Sequence, residues 1–318
     1  MTPRPVVGLS RPLPEESLLA LRELADVRMP PEDRPADLAD VLRGADHALV
    51  TPYERIDDAL LDACPTLRRI ITVSAGYDHI DVAACASRGI EVANTPGAVV
   101  AATADHAFGL LLAASRRIVE ADAYTRSGSW SGGVAPFLGQ DVHHSTLGIV
   151  GMGRIGQQLA RRAHGFDMEV VYHGRRRLEP TLESRLGVRR LPLEELLAHS
   201  DAVILQVSYS PGTHHLLDER RLALMKPSAV LVNTSRGGVV DDAALARALS
   251  SGRLAGAGLD VFEGEPHLLP ELRSLPNVVL TPHLGAHTVT THRRMAQEAL
   301  TNLIGTLRGA ELENRVTP

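Results

Sequence analysis

The sequence predicts an α/β fold: two Rossmann-like, doubly wound domains on parallel sheets, with a cleft between them. Three observations predict it. Short apolar runs alternate with helically spaced stretches from end to end, as βαβ units require. A G-x-G-x-x-G turn, Gly151, Gly153 and Gly156, stands between a strand run and a helix pattern. The length, 318 residues, suits two ordinary domains.

Taken in order, the strand candidates of the first third are PVVGLS, HALVT, LRRIITVS and IEVAN. Helical spacing follows them in stretches such as SLLALREL and IDVAACASRG. Residues 101–128, AATADHAFGLLLAASRRIVEADAYTRSG, have no proline and little glycine until their end, so they read as one long connecting helix. A second strand series begins near residue 146: TLGIVG, MEVVYH, DAVILQVS, SAVLVNTS, AGAGLDV and NVVLTPH. HTVTTHRRMAQEALTNLIGTLRG reads as a last helix that crosses back to the first domain. Residues 1–98 with 289–318 then form one domain, and residues 99–288 the other. Clefts between such domains are where ligands usually bind.

Composition narrows the function. Apolar residues make up 44% and charged residues 22%, enough for a sizeable core. The formal charge of −5 gives no field for nucleic acid, and 3% aromatics leave few rings for stacking on bases. No basic-then-apolar leader opens the chain, and no apolar run is long enough to span a bilayer. A soluble cytoplasmic protein is expected, with neither nucleic-acid nor membrane partners. Cys64 and Cys85 are too few for a disulfide framework and have no metal-ligand spacing. His143–His144 and His214–His215 are adjacent pairs. Neighbours on a strand point opposite ways, so no metal is expected there.

The glycine turn carries the first chemical reading. TLGIV precedes it, RIGQQLARRA follows, and MEVVYH arrives at βαβ distance. Gly151 permits the tight turn, Gly153 lets backbone approach a pyrophosphate, and Gly156 lets helix and strand pack closely. The pyrophosphate then sits on free N–H groups at the helix start. The later strand ends deliver Arg236 in VLVNTSRGG, Asp260 and Glu265 in GAGLDVFEGEP, and His283 in VVLTPHLGAH. Ligands of open α/β sheets lie beyond such strand ends. Each residue alone has a plain structural reading, as an ion pair, a turn or a satisfied core group. Together, after a dinucleotide turn, they fit reduction of a 2-keto acid. Arg236 would hold the carboxylate and polarise the carbonyl. His283 would donate the proton as hydride arrives, with Glu265 orienting its ring and favouring its charged form.

These residues resemble the D-isomer-specific 2-hydroxyacid dehydrogenases, and the glyoxylate/hydroxypyruvate reductase branch in particular. SAGYDHIDVAACASRGIEVANTPG, GIVGMGRIG, VNTSRGGVVDDAAL, GAGLDVFEGEP and LTPHLGAHT stand in that family's order and spacing over nearly the whole chain. The resemblance implies a substrate domain built from both chain ends and an inserted nucleotide domain. It implies Arg236 as substrate-binding arginine, Glu265 as partner carboxylate and His283 as acid/base. It implies that backbone N–H groups of Ala75 and Gly76 bind the substrate carboxylate. Cofactor contacts are implied for Thr103, Gly151, Gly153, Arg154, Ile155, Gly156, Val207, Ser208, Thr234, Ser235, Asp260 and Gly285. A homodimer is implied, with an arm from the segment around Trp130. Many relatives have proline where Ser208 stands.

Two other readings share the motifs. A dinucleotide-sensing corepressor would add surface peptides and tails, whereas this chain runs from its last helix directly to LENRVTP. A formate-type dehydrogenase would lack the Glu265-type partner; a phosphite-type enzyme is less easily set aside. Tyr53, in LVTPYERID, reads as an exposed turn residue or as a limit on substrate size.

The end of the second nucleotide-domain strand, VVYHGRRR, bears on the cofactor. NAD-binding versions of the fold place an acid there for the ribose 2′-hydroxyl. Here the place holds His173 or Gly174, neither of which repels a 2′-phosphate. Arg175, then Arg176, would pair with that phosphate through guanidinium forks, and Arg177 would face water. NADP(H) is therefore the expected cofactor, with NAD(H) possible.

Overall fold

The computed structural model describes residues 3–13, 15–31, 37–134 and 136–318. The chain divides into two compact units, one holding the residues up to Val99 with Thr288–Pro318, the other Val100–His287. No helix among the described residues is long and apolar enough to cross a membrane.

In the first unit the strands are β1 (Val6–Leu9), β2 (Asp26–Arg28), β3 (His47–Val50), β4 (Arg69–Thr72) and β5 (Glu91–Ala93). Their order is β5-β4-β3-β1-β2, all parallel, and Arg315–Val316 adds an antiparallel edge beside β5. Alternate residues feed opposite faces, as the pleat dictates. Ala48, Val50, Ile70 and Val92 pack on one side with Leu42, Leu61 and Cys85. Val7, Leu9, Leu49 and Ile71 pack on the other with Leu18, Leu21, Leu300 and Leu303. The last two belong to the C-terminal helix Val289–Leu307, whose cap is Thr288, accepting from the Thr291 N–H. Tyr53 is 68% exposed, with Arg11 over its ring at 5.8 Å.

In the second unit the strands are β6 (Thr146–Val150), β7 (Glu169–His173), β8 (Val188–Arg190), β9 (Ala202–Leu205), β10 (Val230–Asn233), β11 (Gly256–Leu259) and β12 (Val278–Leu280). The parallel order β12-β11-β10-β9-β6-β7-β8 reverses direction between β6 and β9. Leu147, Ile149, Tyr172 and Ile204 face one helical layer; Val150, Val171, Val203 and Leu205 face the other. Both sheets are thus doubly wound, as the sequence predicts.

The long helix expected over 101–128 is two helices, Val100–Ser115 and Ile118–Arg126, broken at Arg117 with φ 53°. The cause is a capture of backbone. The Gln140 N–H bonds the Ser115 carbonyl at 2.7 Å, so that oxygen is taken from the helix ladder. Arg117 then turns back onto Glu120 and lies over the Phe137 ring.

Candidate active site

The turn after β6 lies at the reversal point of the second sheet. Gly151 has φ 106°, which side-chain-bearing residues rarely adopt. A Cβ there would also stand 2.2 Å from the Gln206 carbonyl oxygen beyond β9. A Cβ on Gly156 would lie 2.3 Å from the Gly151 oxygen, so that glycine seats the helix Arg154–His164 against its own turn. Gly153 differs from both. It caps this helix without a side-chain bond, and a Cβ there would meet nothing within 4 Å. The opening N–H groups of the helix therefore have room for an anion beside exposed Arg154 and half-buried Ile155. These residues fit the pyrophosphate of a dinucleotide.

The end of β7 borders this turn, because the Gly151 N–H bonds the His173 carbonyl at 2.8 Å. His173 Nδ1 donates to the Leu191 carbonyl at 3.1 Å, and the Gly174 carbonyl accepts from Arg190 at 2.9 Å. The three arginines then diverge. Arg177 closes onto Glu183 at 2.8 Å, and the same carboxylate accepts the hydroxyl of fully buried Tyr172. Bonds from Arg177 and Tyr172 hold the Glu183 carboxyl below its ordinary value. Arg177 faces water as expected, its side chain 65% exposed, and its ion pair also fixes in place the acceptor that the buried hydroxyl needs. Arg175 and Arg176 are exposed and form no hydrogen bond or ion pair among the described residues.

Beyond β9, Val207 is half-buried and Ser208 exposed, and the Gln206 amide donates to the Thr234 hydroxyl beyond β10. Buried Asn233 draws the next residues into a tight loop. Its Oδ1 accepts from the Ser235 N–H at 3.0 Å and hydroxyl at 2.7 Å, and its amide donates to the Arg236 carbonyl at 3.0 Å. Arg236 emerges half-buried, with Nη1 donating to the Ser235 carbonyl at 2.7 Å.

Asp260, 1% exposed, organises the far end of the sheet. Its Oδ1 accepts from Thr281 at 2.6 Å, from the Leu284 N–H at 2.7 Å and from His106 Nε2 at 3.1 Å; its Oδ2 accepts from the Gly285 N–H at 2.8 Å. Burial pushes its pKa up, but bonds from His106, Thr281 and Leu284 outweigh that and keep it below the ordinary value. A Cβ on Gly285 would sit 3.2 Å from Asp260 and 3.4 Å from Thr103, so Thr103, Asp260 and Gly285 form one cluster. His106 and Thr281 are members that the strand-end reading missed. His106 lies on the helix Val100–Ser115, where only its polar ring marks the face turned to Asp260.

His283 has φ 56°, and its N–H bonds the Asp260 carbonyl at 2.9 Å. Its Nδ1 meets Glu265 Oε2 at 2.9 Å, while Oε1 of that carboxylate accepts from the Phe262 N–H at 2.9 Å. Burial raises the Glu265 pKa, but His283, the Phe262 N–H and the Arg236 charge together hold it below the ordinary value. The carboxylate therefore stays ionised, and the imidazole presents Nε2 as its free edge. An arginine, a carboxylate and an oriented imidazole can bind an anionic carbonyl compound and pass it a proton.

Ala75 and Gly76 lie in the other unit, half-buried in the loop after β4. Trp130 is 57% exposed, its Nε1 donating to the Gly133 carbonyl at 3.4 Å. The premise that His214 and His215 point opposite ways is overturned. They lie on a turn rather than a strand, and φ 46° at His215 stacks the rings 3.9 Å apart. With Glu263 they offer ligand atoms within 4.8 Å of one another, although His215 is already paired with Glu263 at 3.0 Å.

Comparison with known proteins places the chain. Residues 108–285 match the model of the D-isomer specific 2-hydroxyacid dehydrogenase NAD-binding domain. The chain is 47% identical over 309 residues to a glyoxylate reductase of Thermococcus gammatolerans, covering 95% of this chain and 92% of that one. It is 42% identical over 323 residues to glyoxylate/hydroxypyruvate reductase B of Citrobacter koseri, covering 99% and 98%. The crystal structure of an NADPH-dependent glyoxylate/hydroxypyruvate reductase from Sinorhizobium meliloti, in complex with NADP and malonate, superposes with a TM-score of 0.87 at 33% identity, covering 99% and 97%. With the glycine turn at the reversal of its sheet and these relatives along nearly its whole length, the chain belongs to the D-isomer-specific 2-hydroxyacid dehydrogenase family.

Proposed function

We propose that this protein is an NADP(H)-preferring reductase of a small 2-keto acid of the glyoxylate or hydroxypyruvate type. The observation that carries the reading is the His283–Glu265 pair at 2.9 Å, with the carboxylate pinned from behind by the Phe262 N–H. Glu265 fixes the ring so that Nε2 meets the substrate oxygen, and it stabilises the charged imidazole that donates the proton. Arg236 binds the substrate carboxylate and polarises the carbonyl through its planar fork. The N–H groups of Ala75 and Gly76 bind the same carboxylate. The bound nicotinamide supplies the hydride, and the product is the 2-hydroxy acid, D-configured where it is chiral.

The glycine turn with Arg154 and Ile155 takes the pyrophosphate. Thr103, Thr234, Ser235, Asp260 and Gly285 serve the nicotinamide half, and Val207 and Ser208 the adenosine half. His173 and Gly174 leave space for the adenosine ribose, and Arg175 with Arg176 takes the 2′-phosphate. Their exposure supports that role, and among the described residues no ion pair competes for them. The relatives named as glyoxylate reductases support the substrate class. The enzyme works as a cytoplasmic homodimer, with the segment around Trp130 as the arm.

The test is absorbance of NADPH and NADH oxidation against glyoxylate, hydroxypyruvate, pyruvate and bulkier keto acids. Turnover of the small acids, faster with NADPH, is expected. No turnover with any keto acid overturns the enzyme reading.

A further inference from the structure

The loop after β4 has an unusual hydrogen-bond arrangement. Three successive carbonyls are each tied down. The Ser74 carbonyl accepts from the Thr95 N–H at 2.9 Å. The Ala75 carbonyl accepts from Asn94 Nδ2 at 2.7 Å, and the Gly76 carbonyl accepts from the Ser74 hydroxyl at 2.6 Å. Asn94 and Thr95 directly follow β5, the strand beside β4, so the first two anchors come from one side. The only cis peptide bond among the described residues is Glu265–Pro266, so these peptides are trans. In a trans peptide the N–H points opposite to the C=O. The anchors therefore drive the N–H groups of Ala75 and Gly76 away from β5. Neither donates to an acceptor within the described chain.

Two adjacent, unsatisfied N–H groups at the carboxyl end of a parallel sheet make an anion-binding concavity. The side chains beneath brace it. The Thr72 hydroxyl lies 2.8 Å from the Ser74 hydroxyl and 3.0 Å from His79 Nε2, and Thr72 and Ser74 are both buried. We propose that Asn94 is a positioning residue for the substrate carboxylate: it fixes the Ala75–Gly76 peptide so that its N–H faces the ligand, while Ser74 braces the next peptide, Gly76–Tyr77. This rests on the reading of Ala75 and Gly76 as carboxylate binders. Asn94 itself does not touch the substrate. Its amide acts through the carbonyl it holds, and only a donor at that position does so.

The test is Asn94→Asp, which keeps the shape but replaces the donor with a charge that repels the Ala75 carbonyl. Steady-state kinetics with glyoxylate, inhibition by oxalate and NADPH binding are measured on the full chain. The expected result is a rise in KM and in the oxalate inhibition constant of at least about tenfold, as for loss of a hydrogen bond serving a charged group. The kcat and the NADPH Kd should stay near wild type, a split that a general loss of folding would not give. Ser74→Ala, a smaller change, should show the same split at reduced size. Unchanged KM and oxalate inhibition in both variants overturn the inference while leaving the reductase reading intact. A wild-type protein that turns over no 2-keto acid removes both.

Discussion

The two units reverse strand order in the same way but treat the resulting crevice differently. In the first unit the reversal lies between β1 and β3, and the chain's own carboxylate fills it. Glu54 accepts from the Ser10 hydroxyl at 2.8 Å beyond β1 and from the Thr51 N–H at 2.8 Å and hydroxyl at 2.7 Å beyond β3. Arg11 closes its other oxygen at 2.9 Å. In the second unit the reversal lies between β6 and β9, where Gly151 brings the strand ends together and Gly153 leaves open space. The difference teaches that the doubly wound topology supplies the anion site, and the residues of the first turn decide its occupant. Where serine and arginine stand, an internal glutamate is captured. Where glycines stand, the donors remain for a ligand.

The sharpest way to break this comparison is to put a side chain into each first turn. Gly151→Val places carbon against the Gln206 carbonyl in a backbone conformation valine resists, a strain on the order of 1–3 kcal/mol before any clash. NADPH affinity should fall by at least about a hundredfold and the melting temperature should drop. Ser10→Val loses the bond to Glu54 and the 3.2 Å bond from the Thr51 N–H, and should leave NADPH affinity unchanged in a fluorescence titration. Equal effects of the two changes on cofactor binding would erase the distinction between the crevices.

Glu54 and Asp242 sharpen the comparison through pH. Burial raises the Glu54 pKa, but bonds from Thr51, Ser10 and Arg11 outweigh it and bring the value below the ordinary one. Its depressed native pKa adds stability above the unfolded value, and this is lost as pH falls through the native one. Glu54→Gln should therefore cost about 1–3 kcal/mol at neutral pH, shrinking towards zero in acid, as read by urea unfolding. Asp242 behaves oppositely. Burial drives its pKa up to about 6, even though it accepts from the Glu263 N–H. The native state then binds the proton more tightly than the unfolded chain, so this group lowers stability as pH rises towards 6. Asp242→Asn should flatten that decline, with a gain of about 1 kcal/mol at pH 7. A variant that follows the wild-type pH profile would show that the group is not titrating there.

A further effect concerns the edge of the open crevice. In Arg175→Ala/Arg176→Ala the NADPH over NADH preference should fall at least about tenfold in kcat/KM, with NADH turnover retained. An unchanged ratio returns both arginines to a solvated surface role.

Much of the fold was legible because apolar runs mark buried parallel strands. The strands that escaped, Asp26–Arg28, Val188–Arg190 and Arg315–Val316, are short, charged and at sheet edges. Such edges hold no apolar run to read, and their charge guards them against pairing with other chains. The break at Arg117 left no proline or glycine signal, because its cause is a hydrogen bond from a residue on the returning loop. At the site, Arg236, Asp260 and His283 stood out as polar interruptions at strand ends. His106 did not, because its partner Asp260 is 154 residues away and helical spacing says nothing about such a contact. Arg177 is exposed as expected, but its pairing escaped for a similar reason: its partner, Glu183, serves a buried tyrosine that sequence alone reads as plain core.

In the proposed reaction His283, oriented by Glu265, protonates a 2-keto acid. Its most direct measurement is NADPH-dependent glyoxylate reduction by wild type and His283→Ala, with NADPH binding measured in parallel. The expected result is a loss in kcat of about 10²–10⁴-fold, the usual worth of a positioned general acid, with NADPH affinity retained. Turnover by His283→Ala at the wild-type rate would contradict it.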